Sequence, residues 1–150
     1  MTRHISDRAQ FSEDEVAAAR GLVLHEDEQL IAFNKPSGLA VQGGSGVTRS
    51  LEDLLGAFAK SNGKRPRLVH RLDRETSGVI VAARTKPAAA FFSEAFAERS
   101  AKKTYVAVVC GGAPAPAEGQ IDLALRKTTR RGVDLMEVAS GGQLALTLYR

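Results

Sequence analysis

A single cysteine, Cys110, leaves no disulfide possible within these 150 residues, and a reducing compartment is expected. Cys110 lies in the apolar run Tyr105 to Cys110 and reads as a small core residue rather than a nucleophile. No apolar run approaches the roughly 18–20 residues of a membrane span. The start, Met1 to Gln10, lacks the apolar centre of a signal peptide. A cytoplasmic chain without a membrane partner is therefore expected. Gly43-Gly44-Ser45-Gly46 is followed by no Gly-Lys-Ser/Thr, which excludes a P-loop and leaves a flexible connection. There is no internal repeat and no Pro/Ser-rich linker between two cores, so one domain is expected, and it is long enough to bury a core.

The net charge is only +4, but the charge is unevenly spread. Between Lys60 and Arg74 stand Lys60, Lys64, Arg65, Arg67, Arg71 and Arg74, opposed by one acid, Asp73. A second basic cluster is Arg126-Lys127 with Arg130-Arg131. Acids gather at Glu13-Asp14-Glu15 and Glu26-Asp27-Glu28. Clustered cations suit a phosphate-rich partner, because neutralising phosphates releases counterions. A solvated charged face explains the same pattern, and charge alone does not choose.

Residues 1–21 read as a polar, loosely held N-terminal segment ahead of a domain over 22–150. Leu22 to Leu24 and Leu30 to Phe33 read as short strands joined by an acidic turn. Asn34-Lys35-Pro36-Ser37-Gly38 is a turn by composition. Ser50 starts a helix, with Asp53 three residues on giving a partial capping box, and Leu51, Leu54, Leu55 and Phe58 form one apolar stripe. Ser61-Asn62-Gly63 ends it. Val79 to Ala83 reads as a strand. Thr85 caps a second helix, with Pro87 in its first turn, Ala89, Phe92 and Phe96 inward and Arg99 at its close. Tyr105 to Cys110 reads as a strand, Gly111 to Gly119 as a loop, and Gln120 to Leu125, Val133 to Val138 and Gln143 to Tyr149 as further strands. The expected class is α+β, with a largely antiparallel mixed sheet and two main helices.

The run His70-Arg71-Leu72-Asp73-Arg74-Glu75-Thr76-Ser77-Gly78 concentrates the chemistry. A carboxylate set between two arginines stays ionised, and hence nucleophilic, at neutral pH. Aspartate can attack an anomeric carbon and hold a sugar covalently. A glycosidase needs a second carboxyl, and Glu75 in an extended turn would point elsewhere. One carboxylate among arginines suits sugar–base chemistry on RNA better than polysaccharide hydrolysis. The alternative, Asp73 as a buried ion-pair anchor for Arg71 or Arg74, remains open at this point. A protein-kinase reading fails, since kinases use His-Arg-Asp with a downstream Asn.

The same nine residues resemble the catalytic motif of the RluA-like branch of the pseudouridine synthases. Asn34 to Val41, Ala83-Arg84-Thr85-Lys86, Lys103-Thr104-Tyr105, Gly119 to Asp122 and Gly141 to Arg150 resemble further landmarks of that family, in order. The resemblance runs from about Leu22 to Arg150. It implies a partial pseudouridine synthase-like catalytic core that isomerises a uridine in rRNA or tRNA, with RNA as partner and no cofactor or metal; a monomer is expected. It implies Asp73 as the essential carboxylate, by attack at C1′ or by forming a glycal. Tyr105 becomes the active-site phenol, either lying against uracil or taking the C5 proton. Arg71 would fill the gap left by the extruded nucleotide, since C1′ and C5 are unreachable inside a stacked helix. His70 either holds the turn or meets RNA, and Arg74, Lys103, Lys64, Arg65 and Arg67 are expected to contact RNA. The family's later Thr-Gly-Arg-x-His-Gln-Ile-Arg segment has no counterpart before Arg150, and the chain reads as cut there. A catalytically incomplete RNA-binding module of the same fold is the second reading. A hydrolase using Asp73 and Glu75 is the third.

Overall fold

A computed structural model describes residues 11–44, 46–130 and 132–150. The first ten residues of the N-terminal segment, the Ser45 position of the glycine-rich loop and Arg131 of the second basic cluster lie outside it. The chain divides into one unit ending at Lys103 and a second over Thr104–Arg150.

The first unit is built on the antiparallel sheet β1-β2-β4-β3: β1 (Val23–Glu26), β2 (Leu30–Lys35), β3 (Arg67–Leu68) and β4 (Gly78–Ala83). β2 runs through its centre, with Phe33 opposite Ile80 and Ile31 opposite Ala82 on β4. Alternation along β2 turns Ile31 and Phe33 into the core. Helix α2 (Leu51–Leu54) and the 3-10 turn Leu55–Phe58 close over that face, bringing Leu51, Leu55 and Phe58 inside. Phe58 meets Phe33 edge to face, with ring centroids 5.2 Å apart. The Ser50–Asp53 capping box forms as the pattern predicts, but the helix is shorter than expected. It tightens at Leu55 and stops at Phe58, before Ser61-Asn62-Gly63, because a 3-10 turn stacks Leu55 and Phe58 three residues apart on the core side.

Two further expectations are corrected here. The segment to residue 21 is not wholly loose: Glu13–Gly21 forms helix α1, started by a Ser12–Glu15 capping box and seated through the buried Ala19. Three acids in its first turn suit the helix dipole. Helix α3 (Lys86–Ala97) starts at Thr85 with Pro87 in its first turn, as expected, but Arg99 lies beyond its end. Arg99 takes a positive φ of 60°, its amide reaching Phe96 O while the Ser100 amide reaches Ala95 O, a Schellman ending.

The second unit is the antiparallel sheet β6-β5-β7: β5 (Gly119–Arg130), β6 (Val133–Val138) and β7 (Gln143–Tyr149). β5 pairs with β7 from Gly119↔Tyr149 to Leu125↔Gln143. The Tyr149 ring lies over Gly119, where an added Cβ would stand 2.6 Å from its oxygen, so a larger residue there would displace the ring. The expected strand over 105–110 is absent, and these residues are exposed, Val106 and Val108 almost fully. Among the described residues no strand pairs with them, and strand propensity is realised only against a partner. Cys110 is correspondingly exposed, not a core residue.

Phe33→Ala should cost about 3–5 kcal/mol through the cavity it leaves beside Phe58, measurable as a lower midpoint of chemical denaturation. Acid should loosen the β1–β2 hairpin. The Asp27 carboxylate accepts the Leu30 amide, meets the His25 ring and accepts the Gln29 amide, which draws it down from 3.8 to about 2. Because the folded value is the lower one, its contribution is complete above about pH 4 and lost as pH falls towards 2. Asp27→Asn should flatten that part of the stability profile.

Candidate active site

The buried phase of β2 continues from Ile31 and Phe33 to Lys35, which is completely buried. A buried ammonium is tolerated only where its donors are used. Lys35 Nζ donates to the carbonyls of Pro36 at 3.0 Å, Leu39 at 2.8 Å and Arg74 at 2.9 Å. Burial pushes the lysine below its ordinary value, while the nearby Glu75 and Asp73 carboxylates act to raise it. The bond to Arg74 joins two turns that lie 39 residues apart in sequence.

More bonds run between the same turns. The Gly38 amide donates to Arg74 O at 2.9 Å, and Arg74 Nε donates back to Gly38 O at 2.9 Å. Gly38 holds φ at +86°, a conformation its missing side chain makes cheap. Ser37 Oγ donates to Glu75 O at 2.8 Å and lies 3.5 Å from its carboxylate. Residues 35–39 thus form a platform for residues 74–75.

On that platform the run 70–78 separates into inward and outward side chains. Leu72 is buried in the core cluster, whereas Arg71 and Asp73 on either side of it are exposed. Asp73 O accepts the Thr76 amide at 3.1 Å, closing the turn behind the carboxylate. Among the described residues Asp73 makes no ion pair with any cation. The buried-anchor alternative therefore finds no support. Glu75 faces Ser37 and lies 3.7 Å from Arg74 Nε, turned to the platform.

The remaining candidates are spread. His70 is half-buried, its Nε2 accepting the Val81 amide at 3.0 Å and its ring stacked on Phe96 at 4.1 Å. Burial, joined by the Lys103 charge, holds the imidazole below its ordinary value, against a hydrogen bond to the Arg71 backbone. Lys103 Nζ lies 6.0 Å from the Phe96 ring. Lys64, Arg65 and Arg67 are exposed on and beside a loop closed by Lys60 N–H to Lys64 O at 2.9 Å. Tyr105 is 57% exposed and belongs to the second unit. The expectations for Lys64, Arg65, Arg67, Arg71, Asp73, Arg74 and Lys103 thus fall on accessible side chains of the first unit. Sequence reading did not pick out Lys35 and Ser37 as site residues. For Lys35 the signal was present: it sits in the buried phase of an alternating strand, where a lysine needs a reason.

A sequence profile described as RNA pseudouridylate synthase matches residues 29–150. The chain is 41% identical over 133 residues to RNA pseudouridine synthase 4, mitochondrial, of Arabidopsis thaliana, an alignment covering 79% of this chain and 28% of that protein. It is 34% identical over 145 residues to ribosomal large subunit pseudouridine synthase C of Rickettsia bellii, covering 93% of this chain and 48% of that one. The chain thus spans less than half the length of these relatives. The solved structure of human RNA pseudouridylate synthase domain containing 4 superposes with a TM-score of 0.65 at 26% identity, over 90% of this chain and 56% of that one. Among the described residues no helix is long and apolar enough to cross a membrane.

Replacing Lys35 by Met leaves three carbonyls without their donor. Bonds to a charged group contribute about 1.5–3 kcal/mol each, so a stability loss on the order of 3 kcal/mol is expected. Hydrogen exchange at the Gly38 amide should quicken more than at Ile31, since the platform opens before the sheet does.

Proposed function

This chain belongs to the RNA pseudouridylate synthase family, and from that membership we propose that the whole protein isomerises a particular uridine in rRNA or tRNA to pseudouridine. Asp73 is the essential carboxylate in this reading, either bonding to C1′ or drawing a ribose proton to form a glycal. The observation that carries it is the combination of an exposed Asp73, in no ion pair among the described residues, with a backbone held on both sides by Leu72 and by the Lys35 platform. A nucleophile must be accessible and also fixed, because a reacting group displaced by an ångström loses most of its advantage.

The exposed cations fit the same role. Lys64, Arg65 and Arg67 are free to meet phosphates, and Arg71, beside Asp73, is free to take the place of an extruded base. Arg74 keeps its Nη groups for phosphate while Nε holds Gly38. Lys103 supplies a further cation. Tyr105 acts as the phenol against uracil, a role its exposure permits. The domain assignment proposed is a polar segment over 1–21 followed by the N-terminal part of the catalytic domain over 22–150, working as a monomer in the cytoplasm without metal or cofactor.

A binding module without catalysis is the competing reading, and it makes an opposite forecast. In the whole protein that carries this chain, Asp73→Asn should cut tritium release from 5-³H-uridine RNA by at least about a thousandfold, the scale lost with a principal catalytic group. RNA affinity should stay within about threefold. Wild-type turnover by the Asn variant would remove Asp73 from the mechanism.

A further inference from the structure

The pairing of β3 with β4 stops one residue before it is needed. Arg67 lies opposite Ala83 and Leu68 opposite Ala82, so the next step would set Val69 opposite Val81. The strand ends instead, and the Val81 amide on that side would be left without an acceptor. His70 Nε2 takes it, at 3.0 Å. A side chain therefore completes a ladder that the backbone has left. The bond spans 11 residues and closes the neck of the loop that carries Asp73. The Phe96 ring, stacked at 4.1 Å and 28° to the imidazole, fixes its plane.

We propose that His70 is a positioning residue for the proposed reaction: its neutral imidazole, accepting the Val81 amide and braced by Phe96, sets where residues 71–77 leave the sheet and so where the Asp73 carboxylate stands. The proposal rests on Asp73 being the reacting group. It gives His70 a place in the fold rather than on the RNA.

The ring has to be neutral for this. Nε2 offers a lone pair to Val81, so the proton sits on Nδ1. A second proton would set one N–H against another. It would also add a charge near Lys103, on the segment after α3. Neither α3 nor β4 offers an acid at the contact; they present the Phe96 ring and the Val81 amide. Burial and the Lys103 charge lower the folded imidazole below the ordinary value of 6.5, so the neck is intact above that value and weakens as pH falls below it. Acid should therefore open the loop through His70.

Two variants separate this from a merely structural histidine. His70→Gln can set an amide oxygen near the Nε2 position and cannot titrate. His70→Leu fills the space without an acceptor. Val81 amide exchange is followed in this chain, and uridine turnover in the whole protein, each from pH 5 to 8. Wild type should lose Val81 protection and kcat together on the acid side. His70→Gln should keep both flat over that range. His70→Leu should exchange Val81 faster at every pH and lose kcat by about ten- to a hundredfold, the cost of a misplaced reacting group, with KM little changed. A Gln variant that retains the wild-type acid limb overturns the proposal, as does a Leu variant with protected Val81 and full turnover. If wild type releases no tritium at all, the functional reading fails by itself. Val81 protection then decides: protection kept by Gln and lost by Leu upholds the neck, and any other pattern refutes it.

Discussion

The ammonium of Lys35 is the contact on which the arrangement around Asp73 depends. Burying an unpaired charge costs far more than a fold of this size can absorb. Three carbonyls, from Pro36, Leu39 and Arg74, must therefore stay where the three N–H bonds of the ammonium point. That requirement shapes the 35–39 turn and tethers the 74–75 backbone to it. Arginine would not substitute well, because its planar fork suits two parallel acceptors rather than three splayed ones. Burial lowers the lysine, and the neighbouring Glu75 and Asp73 carboxylates act against that, so the residue that presents the acid and the residue that anchors it support each other.

Nine residues of the 70–78 run divide two tasks between them. Leu72, the backbone and Nε of Arg74 and the imidazole of His70 hold the loop in place. Arg71 and Asp73 are left outward, in no ion pair among the described residues. Both tasks use ordinary forces: burial of one leucine, hydrogen bonds to carbonyls that would otherwise be orphaned, and one aromatic stack on Phe96. A motif this dense in charge would be expected to collapse into internal ion pairs. The described residues show that only Arg74 and Glu75 approach one another, at 3.7 Å, and both are exposed.

The second unit shows the converse. β5 and β7 carry apolar residues towards both faces of one sheet, with Ile121 and Leu123 on one side and Leu144, Leu146 and Leu148 on the other, all exposed. Its hydrogen bonding is nevertheless complete from Gly119↔Tyr149 to Leu125↔Gln143. The β5–β7 pairing joins segments separated by the whole of β6, and it forms although these apolar side chains are exposed. The 105–110 stretch has similar composition and no such pairing, so composition did not make it a strand.

Local rules carried a long way in this chain. Strands close to 22–24, 30–33, 79–83, 120–125, 133–138 and 143–149, the Ser50 and Thr85 caps and the turn at 34–38 could be read from alternation, capping residues and glycine or proline, because each is decided within a few residues; the continuation of β5 through the basic residues to Arg130 could not. The Ser12–Glu15 box is equally local, a serine followed three residues on by a glutamate. The motif residues Asp73 and Arg71 were identifiable as chemistry, but not as exposed, and nothing in their spacing distinguished a free carboxylate from a paired one. That outcome was decided by where Leu72 packs and by bonds between residues 35–38 and 74–75. Such contacts join segments far apart along the chain, and which donor meets which carbonyl becomes definite only when the sheet has set β2 beside β4. Sequence by itself determined the elements and the reactive residue types; tertiary structure alone decided which of those residues are held and which are left free, because burial and hydrogen-bond partnership are properties of neighbours in space.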